Sequence, residues 1–319
     1  MYLPRQGRQL GAKKNKMSVF SSKSVKEIAL CTGFSACGIA PAHRLEVAQA
    51  RFQESLDKGF QADMHYLERD IEKRFDPQEL LPGCQSVIVV TYNYLVDAMP
   101  ASDRYRTARY TWIEDYHVLV KRLLDDVVAQ MQRVGECRCR ITVDSSCISE
   151  KNWAVEAGVG RYGKNGLVHN DSGSYFVLGA ILSDATFDSY DSPLESDCGE
   201  CRLCMEKCPA KALETPYRVD AQKCFAYHLN ENKDPDNEIL ESAPLIFGCD
   251  VCQEVCPKNK KIFPNKDNIS KKSVFLQLQN QGFENLQNEE FKTYFGNTAI
   301  ARRKYERLYR AIKTKMSPK

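Results

Sequence analysis

The feature that most limits what this chain can become is Cys198-x2-Cys201-x2-Cys204-x3-Cys208-Pro209. Three cysteines at two-residue intervals, then a fourth before proline, form a run whose last cysteine serves the other of two iron–sulfur clusters. A second set, Cys249-x2-Cys252-x3-Cys256-Pro257, repeats the ending, and Cys224 lies between the two. Eight cysteines is the number that two 4Fe–4S clusters need. The spacing has a mechanical reason. Two intervening residues let a tight loop aim successive thiolates at one cuboidal cluster, and the x3-Cys-Pro step carries the chain toward the second. On this pattern Cys198, Cys201, Cys204 and Cys256 hold one cluster, and Cys208, Cys224, Cys249 and Cys252 hold the other. A pair of zinc sites is the alternative, but zinc ribbons show isolated C-x2-C pairs rather than this triple with its proline.

The remaining six of the 14 cysteines, Cys31, Cys37, Cys84, Cys137, Cys139 and Cys147, form no ligand pattern. No charged-then-apolar leader opens the sequence, and no apolar run approaches the length that crosses a bilayer. A cytoplasmic protein without membrane contact is expected, and there these six read as reduced thiols. Charge is unevenly spread. The total is +3, of which residues 1–16 supply +5 and residues 301–319 supply +7, leaving −9 for residues 17–300. A basic terminal helix suits contact with nucleic-acid phosphates, and equally a solvated helix face.

At 319 residues the chain has room for two or three domains. Residues 1–16 lack apolar periodicity and read as a disordered basic arm. Residues 17–185 alternate helical and strand patterns, as an α/β domain does. A helix is expected from Ser22, a strand at Cys37–Pro41, and amphipathic helix over 43–73. The β-branched run Ser86–Tyr92 reads as a buried strand. Helices are expected at Ile113–Arg133 and Ile148–Ala157, with a strand at Arg140–Val143 between them. Residues 167–182 read as a strand pair around the turn at Asn170. Residues 186–260 hold the cysteines as a ferredoxin-like double-cluster domain, and 261–319 form a helical basic tail. The fold class is α+β.

Gly158-Val-Gly160-Arg-Tyr-Gly163 matches G-x-G-x-x-G. A nicotinamide fingerprint needs a strand before it and a helix after it. Here a helical segment precedes and a strand follows, so nicotinamide binding is not expected. The glycines instead suit close backbone approach to another large ligand, with Lys164 and Asn165 adding a cation and an amide. Lys164 is equally at home as a solvated loop lysine. Asp144 ends a strand and begins a turn, where partial burial raises a carboxyl pKa and suits general-acid work. A capping aspartate at such a turn is the alternative. Asp115-Tyr116-His117 begins like the cobalt-binding motif D-x-H-x-x-G, but position 120 is Val, so His117 reads as a polar helix residue. His43, His65, His169 and His228 form no ligand pattern.

In order and spacing these blocks resemble the epoxyqueuosine reductase family, cobalamin and iron–sulfur enzymes of queuosine-tRNA synthesis. Glu72-Lys-Arg74-Phe-Asp-Pro77 with Leu80-Leu-Pro82 is similar to the family's K-R-x-x-P…L-L-P segment. Ala108-Arg-Tyr110 followed by Asp115-Tyr-His117 is similar to its A-R-Y…D-Y-H block. Asp144-Ser, Glu150-Lys and Ala157-Gly-Val-Gly160-x-x-Gly163-Lys-Asn165 resemble its catalytic aspartate and glycine loop. Gly173-Ser-Tyr175, Leu178-Gly179, and Cys224 with Gly248-Cys-Asp250 fit the segments that follow. The resemblance covers about residues 22–312.

The resemblance implies that cobalamin lies in the α/β domain without a protein cobalt ligand, lined by Arg74, Asp144, Gly163, Lys164, Asn165, Gly166 and Asp250. It implies that the clusters relay electrons from an external donor, and that Asp144 protonates the departing epoxide oxygen before water loss gives queuosine. The partner it implies is the anticodon loop of a tRNA, its modified wobble base splayed into a pocket, and the protein it implies is a monomer. Three features depart from the family pattern. Ser146-Cys147 replaces a small residue and proline, which makes Cys147 a candidate to face the site. Arg161-Tyr162 replaces a Trp-hydrophobic pair. The sequence also lacks the helical-repeat domain that ends longer members. A cobalamin and iron–sulfur reductase of a small molecule, akin to reductive dehalogenases, therefore stays open. A plain electron-transfer ferredoxin is the third reading, and it leaves residues 17–185 without a task.

Overall fold

The computed structural model describes residues 19–316; the expected basic arm at 1–16 lies outside them. A four-stranded sheet organises the first half of the chain. Its strands are β1 (Ala36–Pro41), β2 (Ser86–Asn93), β3 (Cys139–Thr142) and β4 (Phe176–Ser183), in spatial order β1-β2-β4-β3. All three pairings are antiparallel. Alternation of strands and helices led to an α/β expectation for this region. The sheet differs because β4 inserts between β2 and β3, so those two parallel strands never become neighbours. The whole is α+β.

The run in β2 lies between two layers of apolar side chains. Ile88 and Val90 face one layer, and Val87 and Val89 face the other. A strand covered on both faces has no polar alternation to keep. The first layer is closed by α1 (Ser22–Thr32) and α3 (Tyr116–Val134), the latter burying Leu119, Val120, Leu124, Val127 and Met131. The second is closed by α4 (Glu150–Glu156), whose Trp153 is fully buried. This helix comes so close to β1 that a Cβ on Gly38 would meet the Ala157 carbonyl oxygen at 1.9 Å.

Two expected elements differ. The helix expected over 43–73 is broken: α2 (Glu46–Asp57) ends before Gly59, and Gly59, Ala62 and Asp70 all adopt positive φ. The strand pair expected over 167–182 is not a hairpin. Val168–His169 pairs with Arg161–Tyr162, whereas β4 crosses into the main sheet. Residues 198–256 form turns and short helices. Beyond them, Phe275, Phe283, Phe295, Ile300 and Ile312 are buried in the same core as α1 and α3, so this segment closes the molecule. The last helix is α5 (Tyr305–Met316). Among the described residues no helix is long and apolar enough to cross a membrane.

Candidate active site

The cysteines fall into two groups. Cys198, Cys201, Cys204 and Cys256 line a cavity of about 160 Å³ together with Gly163, Lys164 and Asn165. Cys208, Cys224, Cys249 and Cys252 line part of a larger cavity of about 410 Å³. Within each group the thiols feel one another's charge, and Cys204 also acts on Cys252, so the two groups adjoin. Burial, with the neighbouring thiols, pushes Cys249 up to about 11 and Cys252 higher still. Thiols pushed up in this way are poor thiolates unless a positively charged centre joins them. Among the described residues no three His, Cys, Asp or Glu side chains converge as a single metal ion would require.

The larger cavity lies between sheet and cysteine segment. Leu167, Val168, Phe176 and Leu178 from the first half of the chain and Pro209, Ala212, Leu213 and Val251 from the cysteine segment give it an apolar lining. Tyr94, Tyr110, Tyr116 and Asp144 also line it. Of the residues named from sequence, Asp144, Asn165 and Asp250 reach this cavity. Asp250 is 3% exposed and accepts a hydrogen bond from the Arg109 backbone N–H at 2.7 Å; burial raises its carboxyl to about 6.

Four of the named residues stand elsewhere. Lys164 donates to the carbonyl oxygens of Gly199 and Cys201, so its ammonium braces the loop of the first cysteine group. Gly163 lines that smaller cavity, where a Cβ would meet Asn165 Oδ1 at 2.8 Å. Gly166, at φ +75, turns the loop, and its carbonyl accepts from Lys151 at 2.9 Å. Arg74 is outside the cavity lining: it donates to the Tyr66 carbonyl at 2.8 Å and lies over the Phe52 ring. Cys147 does not line the cavity either; its carbonyl accepts from Arg74 at 3.4 Å.

Asp144 is the end of a chain of polar contacts that the sequence reading missed. It follows β3 at φ +48, a left-handed conformation that Asp tolerates better than most residues. Its Oδ2 is 2.8 Å from His117 Nε2, and His117 Nδ1 is 2.6 Å from Asp115 Oδ1. Asp115 caps α3 by accepting from the His117 N–H, and so fixes the ring's base. Arg302, from the C-terminal segment, places Nη1 2.7 Å from His117 Nε2. The one available signal was the aspartate two residues before a histidine at a helix start.

Burial pushes Asp144 up, as the sequence suggested. The His117 hydrogen bond and charge, with Tyr116 and Arg302, outweigh it, and the carboxyl is held below its usual range. That corrects the expectation of a raised pKa. Although protein surrounds it on most sides, the Asp144 side chain is 55% exposed, opening onto the cavity. For His117 burial pushes down, but Asp115 and Asp144 together lift it above its usual range. Glu150 is the raised carboxyl instead. It lines the cavity, accepts the Asp144 backbone N–H at 2.9 Å, and burial takes it to about 8. A carboxyl in that condition keeps its proton at neutral pH.

Residues 74–145 match the family Epoxyqueuosine reductase QueG, DUF1730, and residues 197–259 match the 4Fe-4S double cluster binding domain. The second match contains all eight cysteines. An epoxyqueuosine reductase of Cyclobacterium marinum is 35% identical over 298 residues, covering 90% of this chain and 94% of the relative. One from Prochlorococcus marinus is 34% identical over 295 residues, covering 89% and 94%. A solved selenomethionine-labelled epoxyqueuosine reductase superposes with a TM-score of 0.84 at 26% identity, covering 92% of this chain and 80% of that one. Another, crystallised with an epoxyqueuosine-modified tRNA-Tyr stem loop, gives 0.80 at 26% identity over the same shares. With an antiparallel sheet, a double cluster binding domain and these relatives along nine-tenths of its length, the chain belongs to the epoxyqueuosine reductase family of oxidoreductases.

Proposed function

We propose that this protein reduces epoxyqueuosine to queuosine at the wobble position of tRNA, with Asp144 as proton donor. The observation that carries the reading is that Asp144 and the second cysteine group line one cavity. A proton source and an electron relay then serve the same space. The reaction consumes two electrons and two protons, and it turns an epoxide into an alkene and water. Family membership over 90% of the chain favours the tRNA substrate over a small molecule.

The residues present fit the two cofactors. Four thiols per group match the donor set of a 4Fe–4S cluster. Cys198, Cys201, Cys204 and Cys256 would hold one, and Cys208, Cys224, Cys249 and Cys252 the other. The apolar lining would suit a large macrocycle, and Asn165, Ser174 and Gln253 add polar groups to it. Cobalamin held there would supply a strongly reducing cobalt centre to the epoxide carbon.

The chain's own residues do the rest. The apolar lining excludes water. Asp144 Oδ2 receives a proton from the His117 ring, whose protonated form Asp115 and Asp144 favour, and passes it to the oxygen that leaves carbon, so that it departs as hydroxyl rather than alkoxide. His117, anchored by Asp115, fixes the direction of that carboxyl. Glu150, protonated at neutral pH beside it, holds a second proton in the same cavity. The test is anaerobic reconstitution with iron, sulfide, cobalamin and a reductant, then nucleoside analysis of epoxyqueuosine-containing tRNA. Conversion to queuosine is expected. A protein fully loaded with iron and corrin that converts none would contradict the proposal.

A further inference from the structure

A single helical turn at His65–Glu68 carries Tyr66, which is 51% exposed. Its hydroxyl has Met64 Sδ at 3.4 Å as a partner, a weak acceptor. One exposed aromatic is ordinary on a protein surface. What sets Tyr66 apart is where it is held. Arg74 Nη2 donates to the Tyr66 carbonyl oxygen at 2.8 Å, and Nη1 of the same guanidinium donates to the Cys147 carbonyl at 3.4 Å. The Ser149 N–H donates to the Arg74 carbonyl at 2.9 Å. Tyr66 is thereby tied to the loop that runs from Asp144 to α4. It does not line the cavity itself, yet its phenol feels the charges of Glu231, Asp144, Arg303 and Arg74. It stands at the rim, near the exposed Asp144 carboxylate.

The rim is basic as well as aromatic. Arg302 comes to the same carboxylate through His117, and Arg303 pairs with Glu231, the residue after the cavity-lining Asn230. Exposed rings beside arginines are what hold single-stranded nucleic acid, the rings taking base faces and the cations taking the backbone. A base that enters the cavity has to leave its stack, and the next base in the chain then loses a neighbour. A ring at the rim offers that face a replacement.

We propose that Tyr66 is a stacking platform at the mouth of the cavity, which takes the face of the nucleobase next to the reacting one. The inference rests on the RNA substrate proposed above. Tyr66 touches no reacting atom, so it is a positioning residue. By holding the neighbouring base it fixes how far the reacting nucleotide reaches toward Asp144, and its removal weakens binding of RNA rather than the proton transfer.

The test uses the loaded enzyme and an anticodon stem loop carrying epoxyqueuosine, with binding followed by fluorescence anisotropy. The variants are Y66W, Y66F and Y66A, matched for iron content and thermal midpoint. A base stacked on an aromatic ring contributes about 1–3 kcal/mol, so Y66A should bind about 5- to 150-fold more weakly, with Y66F and Y66W close to wild type. The same measurement is made on two further stem loops, each with an abasic nucleotide on one side of the modified one. On one of these Y66A should lose little more affinity than wild type does, because the partner of the ring is already gone. Equal affinity of Y66A and wild type for the intact stem loop would overturn the inference, as would a Y66A loss that stays full on both abasic stem loops. Conversion of the intact stem loop by wild type is scored separately. If it is converted while Y66A binds like wild type, the Tyr66 inference falls alone; if loaded wild type leaves it unconverted, the reading of function falls.

Discussion

Two carboxyls in one cavity are held in opposite conditions. Asp144 is drawn down by His117, and Glu150 is pushed up to about 8 by burial. The split has a consequence for stability. The folded pKa of Glu150 lies above the ordinary 4.5. Its favourable protonated state is therefore fully present below that value, and its contribution is lost as pH rises toward 8. Glu150→Gln keeps an oxygen for the Asp144 N–H but cannot ionise. Its melting temperature should fall less than that of wild type between pH 6 and pH 9; parallel curves would show that Glu150 is not held protonated. At this scale the sequence told only part of the site. Asp144 was singled out by the resemblance to the family, since its place after a strand suits a capping aspartate as well. Its partners were not, because His117 and Arg302 are brought together by contacts spanning 27 and 185 positions. Lys164 was read as a ligand-side cation, and only the folded loop shows its ammonium on the Gly199 and Cys201 carbonyls.

Among the elements, β2 and α3 were the most legible, since burial on both faces writes an unbroken β-branched run and burial on one face writes a helical stripe. The strand pair over 167–182 was not, because pairing partners of short strands are set by tertiary context rather than by a nearby turn. The contact between β1 and α4 was also silent in sequence. It requires Gly38, where a Cβ would meet the Ala157 carbonyl at 1.9 Å and Val159 Cγ2 at 2.8 Å. Gly38→Ala should destabilise the fold by about 1–3 kcal/mol, read as a lower thermal midpoint of the loaded protein. An unchanged midpoint would mean that α4 sits further from the sheet. That shift would also move the turn bearing Asp144, since α4 begins at Glu150.

For the whole molecule, the count of cysteines carried the most information, and their grouping into two adjoining sites is what the spacing anticipated. Each group has its own four thiols, so Cys249→Ser should remove one cluster's iron, from about eight atoms per chain to about four. Retention of all eight would remove Cys249 from the ligand set. The C-terminal segment was read as a basic tail. Its Phe275, Phe283, Phe295 and Ile312 side chains share the main core, and its Arg302 reaches His117. Charge counting could not show this, because in α5 the buried Leu308, Ala311 and Ile312 are interspersed with basic residues. The central claim is that this fold brings a proton from Asp144 to the place where the cysteine clusters bring electrons. It is tested most directly by comparing wild type and Asp144→Asn, matched for iron and corrin content, in conversion of epoxyqueuosine tRNA. The account predicts queuosine from wild type and a rate lower by about 10²–10⁴-fold in the variant. Equal rates from the two matched proteins would contradict it.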